Sequence, residues 1–258
     1  MNILITGGNG YVARQLKEQL SPYHTITSVT RKNFDLTNHA ETSNWLAYKH
    51  FDVVIHTAIS GGSRLSKDST VVLDNNLKMY YNLLDNSKSF VKLINIGSGA
   101  ELYATDTPYG LSKHVIRQSI LDKDNFYNLR IFAVFDEHEL DTRFIKANIT
   151  NYINRSPIVI HQNKYMDFFY MEDFVKVVRF YIENSNVPKE FDCTYNRSHD
   201  LKEIANKINK LSDYSVDVQC EVHGFSNNYT GTYTPLPIDY LGLEAGIQTV
   251  YEKLLCRT

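Results

Sequence analysis

Short apolar runs and helically spaced apolar residues alternate along the first half of the chain. Asn2–Thr6 and Asp52–His56 are short and rich in β-branched residues, which indicates buried strands. Tyr11–Leu20 and Ser69–Asn86 place apolar residues three and four positions apart, which predicts helices. The same criteria predict strands at 24–30, 91–96 and 127–134 and a helix at 109–122. This alternation predicts a parallel sheet that helices cover on both faces.

The alternation is weaker after about residue 136. Helices are predicted at 142–152, 171–184, 200–211 and 243–255, and strands near 158 and at 190–194. Residues 223–258 carry glycine and proline before the final amphipathic helix. We expect residues 1–135 and 166–196 to form the sheet domain, and residues 136–165 and 197–258 to form a smaller C-terminal lobe.

Composition narrows the class of protein. The net charge is −2 over 258 residues, without a long basic run, so we do not expect a nucleic acid partner. No apolar run approaches the roughly 20 residues that a membrane span needs. The three cysteines are far apart, without metal-ligand spacing, so we expect no metal. Because the first residues already form a strand and its turn, we expect no signal peptide and a cytoplasmic protein.

A glycine-rich turn follows the first strand and opens the first helix. The segment Thr6–Ala13 reads TGGNGYVA. Gly7 allows a sharp turn, Gly10 allows a pyrophosphate to approach the backbone, and Ala13 allows close packing of the helix on the strand. The N–H groups at the start of the helix, near Asn9, Tyr11 and Val12, then face the phosphates. This context predicts dinucleotide binding.

The end of the second strand bears on which nicotinamide cofactor is bound. An acidic residue there binds the ribose hydroxyl of NAD, whereas a basic residue accommodates the 2′-phosphate of NADP. The chain has Arg31 and Lys32 at this point, which favours NADP(H) over NAD(H). Arg31 is alternatively a solvated turn residue, or stacks on adenine while NAD is bound.

An ordered set of motifs resembles the extended short-chain dehydrogenase/reductases, in particular the NAD-dependent epimerase/dehydratase group that acts on nucleotide sugars. The resemblance covers nearly the whole chain. Its motifs are TGGNGYVA, FDLTN, DVVIHTA, DNNLKMYYNLL, IGSGAELY, YGLSK, LRIFAVF, DFFYMEDFVKVV and LEAGIQTVYEKL. The resemblance implies a Rossmann-type doubly wound parallel sheet that binds the cofactor, and a smaller lobe that binds the substrate. The cofactor-side positions that it implies, beyond the turn and Arg31, are Asp35, Leu36, Thr57, Ala58, Asn76 and Lys113.

In this family Tyr-x-x-x-Lys is the catalytic pair, and here it is Tyr109 and Lys113. Four residues apart on a helix, the two side chains share one face. An isolated phenol has a pKa near 10, and a neighbouring ammonium favours its ionised form. The resemblance therefore implies that Tyr109 exchanges a proton with a substrate oxygen. Gly110 costs the helix roughly 1 kcal/mol relative to alanine, and we conjecture that it keeps bulk away from the helix start.

The family's third catalytic residue is a serine or threonine after the fourth strand. Here that stretch is Gly97-Ser98-Gly99-Ala100, and the usual register places Gly99 at the hydroxyl position. We nevertheless assign Ser98 as the partner of the substrate oxygen, with Thr105 or Thr107 as substitutes. Arg143 resembles a lobe residue that pairs with a diphosphate; it is alternatively a solvated helix charge.

The resemblance implies an NAD(P)-dependent oxidoreductase of carbohydrate biosynthesis with a nucleotide-sugar substrate. Arg31 and the short second lobe favour reduction of a keto-sugar, as in the family's 4-keto reductases. One alternative is an epimerase that retains NAD. A dehydratase is disfavoured, since Glu101 has no adjacent acid. An alternative of another class is a non-catalytic dinucleotide-binding regulatory subunit, which Gly99 keeps open. By analogy with such folds, we expect a homodimer.

Overall fold

The computed structural model describes residues 1–63 and 67–256. The chain divides into two compact units, which are residues 1–130 with 177–191, and residues 131–176 with 192–258. The sequence-based boundaries differ from this division. They place residues 131–135, 166–176 and 192–196 with the sheet domain, whereas these segments belong to the second unit.

Strands and helices occupy most of the described residues. The strands are β1 (Asn2–Thr6), β2 (Thr25–Ser28), β3 (Phe51–His56), β4 (Phe90–Ser98), β5 (Phe126–Ile131), β6 (Val134–Phe135), β7 (Ile158–Asn163), β8 (Tyr165–Met166), β9 (Phe169–Tyr170), β10 (Glu190–Cys193), β11 (His199–Asp200) and β12 (Val218–Phe225). The helices are α1 (Tyr11–Leu20), α2 (His39–Leu46), α3 (Thr70–Asp85), α4 (Ala100–Tyr103), α5 (Pro108–Leu121), α6 (Phe144–Ile153), α7 (Met171–Glu183), α8 (Leu201–Ile208) and α9 (Leu243–Leu255).

The first unit is built on a six-stranded parallel sheet with the order β10-β5-β4-β3-β1-β2. Adjacent positions of the central strands, such as Ile3 and Leu4, are both fully buried. This is the pattern of a parallel sheet covered on both faces, and it confirms the predicted α/β fold. One face packs against α3 and α5, which contribute Met79, Leu83 and Ile116 to the core.

A buried lysine stabilises the end of α7 within the first unit. Lys92 on β4 is 8% exposed, and its Nζ donates to the main-chain carbonyls of Tyr181, Ile182 and Asn184, at 2.6, 3.3 and 2.7 Å. The last carbonyls of a helix have no partner within the helix, and a cation is favourable there. Lys92 therefore supplies donors that the helix itself lacks.

The second unit has its own core. Helices α6, α8 and α9 pack around β7 through residues such as Ile149, Ile204 and Ile247. A capping box formed by Asp200 and Glu203 begins α8. Strand β12 pairs in parallel with β7, and most of its side chains are exposed. Sequence periodicity did not predict β12.

Candidate active site

The glycine turn lies between β1 and α1, and its geometry requires glycine. Gly7 has φ +70°, and a Cβ on it would lie 2.7 Å from the Cα of Ala58. The Gly8 N–H donates to the carbonyl of Val29 at 2.8 Å. Gly10 is the N-cap of α1 and makes no side-chain cap hydrogen bond. The N-terminus of a helix favours an anion. The turn therefore fits a dinucleotide pyrophosphate.

An open cavity lies beside this turn within the first unit. Five of the predicted cofactor-side residues line it, namely Gly7, Arg31, Asp35, Leu36 and Ala58. Its apolar wall includes Phe34, Ile59 and Met79, which sequence reasoning missed. These three residues belong to segments that carry predicted residues, but no sequence signal separates them from ordinary core residues.

Two charged residues, Arg31 and Asp35, line this cavity after the end of β2. The Asp35 carboxylate accepts hydrogen bonds from the N–H and hydroxyl of Thr37 at 2.9 and 2.8 Å. These bonds lower the pKa of Asp35, and Arg31 adds to the effect, so the carboxylate is ionised. The Asn33 side chain accepts from the Thr30 N–H at 2.9 Å and closes a turn. Arg31 and Lys32 are exposed within that turn.

Two other predicted cofactor-side residues make hydrogen bonds within the first unit. Thr57 Oγ1 donates to the Thr6 carbonyl at 2.6 Å. Asn76 is 1% exposed, and its amide bonds both main-chain groups of Ser60 and the hydroxyl of Ser112. Asn76 thus joins α3, the segment after β3, and α5. A cofactor contact from either residue stays a prediction, as it does for Asn9, Tyr11 and Val12.

Helix α5 positions Tyr109 and Lys113. Thr107 is its N-cap, and the Thr107 hydroxyl accepts from the Gly110 N–H at 3.1 Å and donates to the Ala104 carbonyl at 2.7 Å. This hydroxyl is therefore committed to the helix cap, which disfavours Thr107 as a substitute for Ser98. Gly110 is buried against the segment that contains Ala104.

The Tyr109 side chain is half-buried and lies against a diglycine segment. Gly61 and Gly62 both have φ +74°. A Cβ on Gly62 would lie 2.8 Å from Cε2 of Tyr109, so the missing side chain leaves room for the phenol. The Gly62 N–H donates to the Asp68 carboxylate at 3.0 Å. The segment that packs against the phenol is thus held by a hydrogen bond of its own.

Lys113 is a buried cation one helical turn after Tyr109. Its side chain is 5% exposed, and its Nζ donates to the Ile96 carbonyl near the end of β4, at 2.6 Å. Burial lowers the pKa of Lys113 to about 8, while the Glu101 carboxylate acts in the opposite direction. Burial lowers the pKa of His56 on β3 to about 3, and the Lys113 charge acts in the same direction, so His56 is neutral.

Ser98 is the last residue of β4 and is 9% exposed. Its Oγ accepts a hydrogen bond from the Ala100 N–H at 3.2 Å, at the start of α4. Gly99 follows in helical conformation and offers no hydroxyl. The structure thus places Ser98 at the carboxyl end of the sheet, on the strand that also holds Lys113. Its role toward a substrate stays a prediction.

In the second unit, Arg143 is an exposed residue at the N-cap of α6. Asp173, from the motif DFFYMEDFVKVV, is fully buried instead. Its carboxylate accepts from the N–H groups of Leu241 and Gly242 at 2.8 and 2.9 Å and from the Tyr195 hydroxyl at 2.7 Å. Asp173 therefore anchors the segment before α9.

The sheet order and the glycine turn define an α/β protein of Rossmann-like topology. A model of the NAD dependent epimerase/dehydratase family matches residues 3–196. The chain belongs to this family. No curated protein sequence matches it significantly. Among the residues described, no helix is long and apolar enough to cross a membrane.

Three solved structures illustrate the likeness of fold. A GDP-L-fucose synthetase from Naegleria fowleri bound to NADP has a TM-score of 0.77 and 14% identity, over 99% of this chain and 93% of that chain. A GDP-mannoheptose C4 reductase from Campylobacter jejuni with NADP has a TM-score of 0.78 and 15% identity, over 98% of each chain. A UDP-glucuronic acid 4-epimerase from Bacillus cereus with NAD has a TM-score of 0.77 and 18% identity, over 100% of each chain. At these identities the likeness shows the fold alone.

Proposed function

We propose that the protein is an NAD(P)-dependent oxidoreductase of nucleotide-activated sugars, and that it reduces a keto-sugar with Tyr109 as the proton donor. The observation that carries the proposal is a buried, charged Lys113 one helical turn from the half-buried phenol of Tyr109. Family membership supports a dinucleotide-dependent reaction. The similar structures include two reductases or synthetases with NADP, and epimerases with NAD.

The chemistry follows from the groups that the chain places on α5 and β4. A bound nicotinamide dinucleotide would supply the hydride. Tyr109 donates its phenolic proton to the substrate oxygen, because that oxygen becomes negative as the carbon is reduced. The Lys113 ammonium favours the phenolate that remains. Ser98 at the end of β4 donates a hydrogen bond to the same substrate oxygen in this proposal.

The cofactor is proposed to be NADP(H), because two cations occupy one turn beside the cavity. Arg31 and Lys32 are both exposed in the Thr30–Asn33 turn. An arginine beside a ribose pairs readily with a phosphate. Arg31 lines the cavity itself. NAD lacks the 2′-phosphate with which these charges would pair.

A dehydratase reaction is disfavoured by the surroundings of Glu101. An elimination needs a carboxylate that reaches the substrate. The Glu101 side chain is fully buried, and its oxygens accept from Asn128, Arg130 and the Ser98 N–H. Every observed contact of this acid is therefore with the protein interior rather than with a site for substrate.

The second unit is proposed to bind the nucleotide sugar. Arg143 is its exposed cation at the start of α6, where it would pair with the diphosphate. Replacing Arg143 with alanine should raise the KM for the sugar nucleotide and leave the affinity for NADPH unchanged. Equal KM values for the variant and the wild type would remove Arg143 from the site.

The experiment has two stages. The purified protein is denatured, and any released dinucleotide is identified. Empty protein that binds NADPH supports a reductase, whereas retained NAD would support an epimerase. NADPH oxidation is then followed with a panel of GDP-, dTDP- and UDP-linked keto-sugars.

The catalytic assignment is tested with Tyr109→Phe, which should keep cofactor binding and lose turnover by about 100-fold or more. Tyr48→Phe is the matched control, since Tyr48 is 99% exposed. Unchanged turnover in Tyr109→Phe would refute the assignment. Dinucleotide binding without turnover of any sugar nucleotide would favour a regulatory subunit.

A further inference from the structure

A chain of buried and half-buried charges crosses the first unit beneath the candidate site. Glu101 on α4 is fully buried, and its Oε1 accepts from Asn128 Nδ2 at 2.8 Å and from Arg130 Nε at 2.5 Å. Arg130 also donates to Glu190 on β10 at 2.6 Å, and Glu190 pairs with Arg117 on α5. We name these five residues the Glu101 cluster. Neither the proposed proton transfer nor the cofactor cavity uses them.

The cluster ends at the strand that holds Lys113. Lys113 Nζ donates to the carbonyl of Ile96, and the Ser98 N–H donates to Glu101 Oε2 at 3.3 Å. Ile96 and Ser98 are two residues apart in β4. In an extended strand the backbone polar groups of such residues point to the same edge. The ammonium of Lys113 and the carboxylate of Glu101 therefore bind the same edge of β4, two residues apart.

The electrostatics of this edge give the two groups opposite charges. Burial raises the pKa of Glu101, while Arg130 and Lys113 act in the opposite direction. The two oxygens of Glu101 accept from three donors, which is the pattern of an ionised carboxylate. Of the other groups around Lys113, His56 is neutral and Tyr109 is the proposed acid. Glu101 is thus the anion that offsets the burial of the ammonium.

We propose that Glu101 is a positioning residue, which holds the Ser98 turn through its N–H and keeps the buried Lys113 ammonium charged. The consequence for catalysis rests on the function proposed above, whereas the effect of Glu101 on the charge of Lys113 does not. If Lys113 lost its proton, it would no longer favour the phenolate of Tyr109. Arg130 and Asn128 hold the Glu101 carboxylate by hydrogen bonds. Arg130 also donates to Glu190, which supplies a second anion beside it.

The direct test is a titration of the lysine side chains by NMR, with ¹³Cε-labelled lysine in the full chain. Lys113→Met identifies the resonance of Lys113, so neither substrate nor cofactor is needed. Glu101→Gln should lower the midpoint of that resonance by about one pH unit or more, because an opposite charge nearby shifts a pKa by roughly 1–3 units. The matched control is Glu183→Gln, which removes an exposed pair with Arg179 and should leave the midpoint unchanged.

An unchanged midpoint in folded Glu101→Gln protein would overturn the proposal. If that variant fails to fold, Glu101→Gln combined with Arg130→Met removes both charges and should show the same shift. If both fail, the wild type decides: the ¹³Cδ shift of Glu101 at pH 7 must be that of an ionised carboxylate, and a protonated carboxyl refutes the role. With an active substrate, the alkaline limb of the pH–rate profile should move down with the midpoint. If the Lys113 midpoint shifts but the protein binds no dinucleotide, the proposed function is refuted and the role of Glu101 stands.

Discussion

Gly110→Ala gives a sharp test of the geometry at the start of α5. Helix propensity alone predicts that alanine stabilises this position by about 1 kcal/mol. The structure predicts the reverse. A Cβ on Gly110 would lie 1.9 Å from the carbonyl oxygen of Ala104 and 2.8 Å from that of Ala100, where ordinary contacts begin near 3.4 Å. About 1.5 Å of overlap with main-chain atoms would have to be relieved.

The neighbouring backbone is poorly able to move. The Ala104 carbonyl accepts from both the N–H and the hydroxyl of Thr107, at 3.0 and 2.7 Å. Moving it would disturb the cap that holds the Gly110 N–H. Overpacking costs roughly 1–3 kcal/mol and a lost cap about 1 kcal/mol, against the 1 kcal/mol gained in propensity. We therefore expect the free energy of unfolding to fall by about 2 kcal/mol.

Urea unfolding followed by circular dichroism measures this change. Gln118→Ala, an exposed substitution on the same helix, should stay within about 0.5 kcal/mol of the wild type. Turnover should also fall in Gly110→Ala, because α5 must shift at the residue that follows Tyr109. A variant as stable as the wild type, or more so, would refute the packing argument.

Three further perturbations test other parts of the molecule. Arg31→Ala should weaken NADPH binding by about tenfold or more and leave NADH binding nearly unchanged; equal losses would contradict the phosphate contact. Lys92→Met should lower the free energy of unfolding by about 2 kcal/mol, because the carbonyls at the end of α7 lose their donor, while the exposed Lys88→Met should not; equal stabilities would contradict it. Burial raises the pKa of Glu139 from 4.5 in the unfolded chain to about 8, so the folded state binds this proton more tightly and loses stability as pH rises from about 5 to 8. Glu139→Gln should flatten that dependence in urea unfolding at pH 5 and pH 8, and parallel curves would show that Glu139 does not cause it.

Apolar periodicity predicted the helices and strands that bury one face, because their apolar residues recur at a fixed spacing. The structure has α1 at Tyr11–Leu20 and α9 at Leu243–Leu255, the ranges predicted from apolar spacing. Strand β12 escaped prediction because its side chains are mostly exposed, so no alternation of apolar and polar residues marks it. Its pairing partner β7 ends about 55 residues earlier in the chain. Such a pairing depends on tertiary contacts rather than on local pattern.

In the candidate site, too, local features were predictable from the sequence and contacts between distant residues were not. The spacing of Tyr109 and Lys113 is visible because both residues lie on one helix. The partners of Glu101 are not visible, since Arg130 is 29 residues away in the chain and Glu190 is 60 residues beyond Arg130. Asn128 and Arg130 are polar residues within a buried strand, but this local signal does not name their partner. Similarly, the glycine at position 110 was seen to oppose helix propensity, but its contact with Ala104 appears only in the fold.

The Glu101 cluster is better explained by the site than by stability. Replacing a buried ion pair with apolar side chains of similar volume is often neutral or stabilising, so burial of charges at this depth does not by itself favour the folded state. A buried ammonium does need a counter-charge, because desolvation otherwise removes its proton. From Lys113 into the cluster the charges alternate through Glu101, Arg130 and Glu190 to Arg117. The Glu101 charge acts on Lys113, and both arginines pair with an anion. An apolar core would pack equally well beneath α5, but it would supply no anion to offset the burial of the Lys113 ammonium beside Tyr109.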